Sequence, residues 1–197
     1  KFSSLQVSGI ENLSKFPMLI YCNHSSWWDG LLAFEITREA KLDSYLLMEE
    51  KQLKNLQLFR KLGVFSIVRE NAREALQSLD YAAKLLKDKQ DRAIWIFPQG
   101  EILPNDIRPL KFFNGVSKIA EKTENCFVVP LAIRYEFGKD FKPQIFGKIG
   151  RAELVESSKT FNSKELTAQL ESSLTDVLDE LRSDILGNKL IDYRNII

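Results

Sequence analysis

The sequence predicts an α/β fold, a single domain built on a mixed, largely parallel sheet flanked by helices. Three observations lead there. Short apolar runs alternate with segments of helical periodicity, the pattern in which helices return the chain from one strand to the next. No internal repeat, low-complexity stretch or linker interrupts the chain. A length of 197 residues with 44% hydrophobic content suffices for one sizeable core spanning residues 1–197.

The elements follow in order. Met18-Leu-Ile-Tyr-Cys22, behind Pro17, is an apolar run of strand length. Ser25 or Ser26 is placed to cap a helix through Leu31, Leu32 and Ile36. Asp43 to Met48 is a second strand, Leu53 to Leu62 a helix that Gly63 ends, and Val64 to Val68 a third strand. Asn71 with Glu74 has the form of a capping box. The helix it opens carries Ala75, Leu76, Leu79, Ala82, Ala83 and Leu86 on one stripe. Arg92 to Phe97 is a fourth strand, closed by Pro98. After a loop with Pro104 and Pro109 come a helix around Val116 to Ala120 and a fifth strand, Phe127 to Tyr135. Pro130 inside that strand points to an edge position or a bulge. Residues 143–155 hold one or two further strands. A helix from about 163 to 186 follows, with Leu166, Leu170, Leu174, Leu178, Leu181 and Ile185 as the stripe that docks it on the core.

Composition excludes several function classes. A net charge of +1, from 28 basic and 27 acidic residues, provides no basic field for nucleic acid. Cys22 and Cys126 lie in apolar stretches, as reduced core cysteines of a cytosolic protein do. No apolar run approaches the roughly 20 residues needed to span a bilayer, and no signal peptide is visible. Neither a phosphate-binding glycine loop nor a dinucleotide glycine pattern nor a metal-ligand cluster occurs, so no metal or nucleotide cofactor is expected. Nothing in the sequence fixes an oligomeric state.

The chemistry gathers in Asn23-His24-Ser25-Ser26-Trp27-Trp28-Asp29, directly after the first predicted strand. His24 is the only histidine in the chain, hence the one candidate for an imidazole base near neutral pH. Asp29 lies five residues on. In a continuous helix that offset leaves the two side chains about 140° apart. They meet if His24 stands in the strand-to-helix turn and Asp29 in the first turns of the helix. Asp29 then accepts the ring N–H of His24, fixes its tautomer and stabilises its charged form.

Four blocks, in order from position 23 to position 131, resemble the acyltransferase family that includes the 1-acylglycerol-3-phosphate acyltransferases. N-H-S-S-W-W-D matches the family's N-H-x-x-x-x-D in full. Gly63-Val-Phe-Ser-Ile-Val-Arg69 is similar to G-x-x-F-I-x-R, with Ser66 where an aromatic is usual. Phe97-Pro-Gln-Gly-Glu-Ile102 resembles F-P-E-G-T-R, with Gln99, Glu101 and Ile102 replacing Glu, Thr and Arg. Val128-Val-Pro-Leu131 resembles the family's V-P-V strand.

The resemblance implies transfer of a fatty acyl group from acyl-CoA or acyl carrier protein to a hydroxyl of a lipid acceptor. His24 would remove the hydroxyl proton, with Asp29 as its partner and no protein nucleophile; the absence of a G-x-S-x-G elbow agrees. It implies substrate contacts at Arg69, the phosphate-binding arginine of the family, at Gln99, Gly100 and Glu101 in the third block, and at Lys111 just after it. Where the family has arginine this chain has Ile102, with Glu101 beside it, an arrangement that repels a phosphate rather than attracting one. Arg108, in the loop that follows, is an alternative cation. An acceptor without a phosphomonoester, such as a lyso-aminolipid or a glycolipid, therefore stands beside lysophosphatidic acid as a candidate.

An acceptor with a long tail lives in a bilayer, which places the protein on the cytoplasmic face of a membrane as a peripheral protein. Lys51, Lys54, Arg60 and Lys61, interleaved with Leu53, Leu56, Leu58 and Phe59, make a basic amphipathic segment suited to that surface. Trp27, Trp28, Phe112 and Phe113 add interfacial aromatics or line an acyl groove. A non-catalytic lipid or acyl-thioester binder, and a thioesterase using water in place of the acceptor, are the alternatives.

Overall fold

Strands form where the apolar runs predict them, and five of them end at one edge of a common sheet. The computed structural model describes residues 1–55, 57–68, 70–89, 91–139, 141–156 and 162–197. The strands are β1 (Ser4–Ser8), β2 (Met18–Cys22), β3 (Asp43–Glu49), β4 (Val64–Ile67), β5 (Arg92–Ile96), β6 (Cys126–Glu136), β7 (Gln144–Ile149), β8 (Glu153–Val155) and β9 (Arg194–Asn195). The helices are α1 (Asp29–Ala40), α2 (Glu50–Asn55), α3 (Ala72–Asp88), α4 (Gly115–Thr123) and α5 (Ser163–Leu186).

The strand order is β4-β3-β5-β2-β6-β7-β1-β9, with β8 also pairing β6. From β4 to β6 every pairing is parallel, and so is β1 with β7. The partners of β6 on its other side, β7 and β8, run antiparallel, as does β9 on β1. The sheet is thus mixed and largely parallel. Its period-2 alternation separates two cores. Leu19 and Tyr21 of β2 face Leu79 and Leu86 of α3, Val116 and Ile119 of α4, and Leu170, Leu174 and Leu178 of α5. Met18, Ile20 and Cys22 face Leu32 and Ile36 of α1 and Leu53 of α2. Strands buried on both faces explain why they read as continuous apolar runs. Cys22 and Cys126 are buried and free, and burial pushes the Cys126 thiol up to about 12.

Several expectations change. The N-terminal strand β1 and the short β9 were not foreseen, because β1 is five residues of S-L-Q-V-S whose parallel partner β7 lies far along the chain. The helix expected over Leu53 to Leu62 divides into α2 and a 3-10 turn, Gln57–Leu62. Leu56 lies outside the described residues, and so does the side chain of Leu58. Asn71 caps α3 as expected, its side chain accepting from the backbone N–H groups of Arg73 and Glu74. Leu76, expected on the buried stripe, is exposed, and Leu85 is buried instead. Pro130 is neither at an edge nor in a bulge. Residues 126–128 of β6 pair with β8 and residues 131–136 with β7, and Pro130 falls between these ladders. Its carbonyl accepts from Gly150 on that side, so its missing N–H faces the break and removes no ladder bond. No helix among the described residues is long and apolar enough to cross a membrane.

Candidate active site

The carboxyl ends of β2, β3, β4 and β5 surround a cavity of about 380 Å³, the usual place for a site in an open parallel sheet. Its wall is mainly apolar, formed by residues such as Leu46, Met48, Phe59, Ile96 and Phe97, and His24 is part of it. Beyond His24, polar groups come from Glu49 and Gln52. Trp27, Ile102 and Phe113 line the cavity and are also exposed, so they form its rim.

His24 leaves the end of β2 in an extended turn, and Asp29 opens α1. The two meet, with His24 Nδ1 2.8 Å from Asp29 Oδ2. The helix does not start at a serine cap. Its N-cap position is Trp28, with no side-chain cap; the carboxylate of Asp29 folds back on the loop ahead of the helix and accepts the backbone N–H groups of Ser25 at 2.7 Å and Ser26 at 2.9 Å on the same Oδ2. Ser26 Oγ instead accepts the N–H of Trp28 at 3.2 Å. Short loops from strand to helix expose N–H groups that need an acceptor, and an acidic residue in the first turn supplies one while favouring the helix dipole. The same geometry puts the carboxylate within reach of an imidazole five residues back.

Asp29 is fully buried, and its Oδ1 accepts the Tyr135 hydroxyl at 2.6 Å. A buried carboxylate whose Oδ2 already takes two backbone N–H groups is an acceptor, so the His24 proton sits on Nδ1 and Nε2 is left as the basic nitrogen. The imidazole stacks on Phe97, with centroids 4.6 Å apart at 25°. Burial, and secondarily the charge of Asp29, push the Cys22 thiol well up and keep it from acting as a nucleophile. Burial followed by the Asp29 charge also pushes the Tyr135 phenol up, so its proton is retained. Among the described residues no group of three or more His, Cys, Asp and Glu side chains is arranged to hold a metal ion.

The remaining predicted residues separate. Gly100 lines the cavity at a left-handed φ of +69°, closing a turn in which its N–H reaches Phe97 O at 3.0 Å. Gln99 is buried outside the cavity wall, and its side-chain oxygen accepts the backbone N–H of His24 at 2.7 Å. Glu101 and Lys111 are exposed and do not line the cavity. Arg69 lies outside the described residues. Arg108 turns away to α5, where it bonds Asp179 at 2.6 Å. Phe112 packs edge-on against Tyr21, and Trp28 against Phe2, so the half-buried member of each aromatic pair is structural.

Three residues that hold the site carried no assigned role in the sequence: Tyr135, Asn23 and Glu171. Tyr135 ends the run Val129, Leu131, Ile133, Tyr135 on the face shared with Cys22, an alternation that was its only sequence signal. Glu171 of α5 accepts the backbone N–H groups of Lys111 and Phe112 at 3.2 and 2.9 Å. With the bond from Leu103 N–H to His24 O at 2.8 Å, it fastens the loop that supplies Ile102 and Phe113 to the rim.

No match was found among curated proteins. Among solved structures, the 1-acyl-sn-glycerophosphate (LPA) acyltransferase PlsC from Thermotoga maritima is similar, with a TM-score of 0.60 at 19% identity, over 91% of this chain and 72% of that one. At that identity the likeness is one of fold. The profile of the Acyltransferase family matches residues 4–134, well over half of the sequence and inclusive of every block that surrounds the cavity. The chain is a member of the Acyltransferase family.

Proposed function

We propose that this acyltransferase moves a fatty acyl group from a thioester, acyl-CoA or acyl carrier protein, to a hydroxyl of a lipid acceptor, with His24 as general base. The observation that carries this reading is the 2.8 Å contact of His24 with buried Asp29 in the wall of a largely apolar cavity. Nε2 of His24 accepts the proton of the acceptor hydroxyl as its oxygen attacks the thioester carbonyl. Asp29 stabilises the resulting imidazolium. Collapse of the tetrahedral intermediate breaks the carbon–sulfur bond, and the departing thiolate takes the proton back from Nε2. The apolar wall suits an acyl chain and limits water, which favours transfer over hydrolysis.

The acceptor we favour lacks a phosphomonoester. Among the described residues that line the cavity there is no lysine or arginine, and Glu49 and Ile102 stand there instead. The protein docks on a membrane at its cytoplasmic face through the rim. There Trp27 and Phe113 are 54% and 56% exposed, and Arg60 and Lys61 lie exposed in the 3-10 turn beside Phe59 of the wall.

Thiol release from palmitoyl-CoA and from palmitoyl carrier protein, with and without a panel of lyso-lipids, tests the reading. Acceptor-dependent release that His24→Ala abolishes is expected. Equal release without acceptor would make the protein a thioesterase, and donor binding without release would make it a binder.

A further inference from the structure

We propose that Tyr135 is a positioning residue of the His24–Asp29 pair, acting on turnover through Asp29 without touching substrate. This rests on the reading of His24 as the base. The carboxylate of Asp29 has two oxygens with separate duties. Oδ2 takes His24 Nδ1, Ser25 N–H and Ser26 N–H at 2.8, 2.7 and 2.9 Å. Oδ1 takes the Tyr135 hydroxyl at 2.6 Å. The three donors on Oδ2 come from one short loop, on one side of the carboxylate. Tyr135 comes from β6, on the other side, and opposes rotation of the carboxylate about its Cβ–Cγ bond.

The phenol is itself fixed from several directions. Tyr135 pairs in register with Ile145 of β7, and its ring packs 5.9 Å from that of Phe2. Tyr135 is not part of the cavity wall, so its influence on the reaction passes through the carboxylate. Among the described residues, the titratable groups facing this buried carboxylate are His24 and Tyr135 in direct contact, with Cys22 of β2 near enough to feel its charge. Burial keeps the proton on the Cys22 thiol and on the phenol, so neither competes with His24 for the proton of the acceptor hydroxyl.

Removing the hydroxyl has two consequences of known sign. The carboxylate loses its second anchor, so the imidazole is aligned less of the time and kcat falls. The charge on Asp29 is also shared with one donor fewer, so it holds the imidazolium more strongly, and the acidic limb of the pH profile moves to higher pH. A side chain that merely fills space produces neither effect.

The experiment compares wild type, Tyr135→Phe, Tyr135→Leu and His24→Ala in acceptor-dependent thiol release from palmitoyl-CoA or palmitoyl carrier protein between pH 5 and 9, with thermal melts of each. Tyr135→Phe removes the donor to the buried Asp29 Oδ1, so it is expected to melt about 2–12 °C below wild type while staying folded, and to leave KM for donor and acceptor within twofold. Its kcat is expected to drop about tenfold, as loss of a hydrogen bond to a charged group predicts. Its acidic limb should shift to higher pH. Wild-type kcat in Tyr135→Phe, with losses only in Tyr135→Leu, would show that the ring packs and the hydroxyl does nothing, and would overturn the proposal. A lower kcat with an unmoved limb would overturn it as well. A neutral Tyr135→Phe beside an inactive His24→Ala removes this proposal alone, whereas an active His24→Ala removes the underlying reading of the base.

Discussion

The side chain of Asn23 exchanges two hydrogen bonds with the backbone of Ile133, accepting its N–H at 2.8 Å and donating to its C=O at 2.9 Å. β2 stops at Cys22 while its parallel neighbour β6 runs on to Glu136. The Asn23 amide thus stands in for a strand that has ended, which frees the main chain to swing His24 toward the cavity. Its second N–H reaches Asn105 Oδ1 at 2.9 Å and ties the rim loop to the same point.

Asn23→Ala leaves both Ile133 groups buried without a partner. At about 1–3 kcal/mol for each of the two unsatisfied buried groups, destabilisation of about 2–6 kcal/mol is expected. For a chain of this size that lowers Tm by roughly 4–24 °C. Thermal denaturation followed by circular dichroism measures it; an unchanged Tm would mean that water or a shifted strand satisfies Ile133.

The acid side of the stability profile is expected to depend on Asp184. Burial alone would raise its pKa, but hydrogen bonds from Lys148 at 2.8 Å and Tyr193 at 2.9 Å outweigh that and hold it below the ordinary 3.8. A carboxylate lowered in the folded state stabilises the fold above its unfolded pKa and loses that contribution as pH falls through the folded value. Asp184→Asn should therefore be less stable than wild type at pH 7, by about 1 kcal/mol. The two unfolding curves should converge as pH falls below 3.8. Urea titrations at pH 7, 4 and 3 test this, and a gap that widens on acidification would refute it.

The membrane contact proposed for the rim can be tested by substitution there. Trp27→Glu with Phe113→Glu places two charges on the exposed edge of the cavity without altering the His24–Asp29 contact. Sedimentation with vesicles of mixed phosphatidylglycerol and phosphatidylcholine is expected to retain wild type and to release the double variant by at least tenfold, since apolar and aromatic anchors dominate interfacial binding. Equal retention would place the membrane contact elsewhere on the molecule.

Much of this architecture was legible in the sequence because its signals are local. The run Met18–Cys22, the cap at Asn71 and the leucine stripe of α5 each report a strand or helix from neighbouring residues, and all three stand where expected. The pairing of His24 with Asp29 was legible for the same reason, a turn and five residues. What could not be read depends on distant chain segments. Tyr135 lies 106 residues from Asp29, and Ile133 lies 110 from Asn23. Gln99 was expected to contact substrate because it stands in the block that resembles F-P-E-G-T-R, yet its side chain turns inward to a backbone N–H 75 residues away. Pro130 misled for a related reason. A proline excludes a strand centre only when its nitrogen faces a ladder, and the switch from β8 to β7 leaves a gap at that residue.

The base role proposed for His24 depends on the buried carboxylate of Asp29, and the Asp29→Asn variant probes that dependence. The amide is isosteric, its oxygen can keep the Ser25 and Ser26 N–H bonds, and its NH₂ faces the Tyr135 oxygen, so the fold is expected to survive. Acceptor-dependent thiol release from the acyl thioester, measured at pH 7.5 under saturating substrates, is expected to fall by about 10²–10³-fold with Tm nearly unchanged. A folded Asp29→Asn protein that transfers the acyl group within twofold of the wild-type rate would contradict the account.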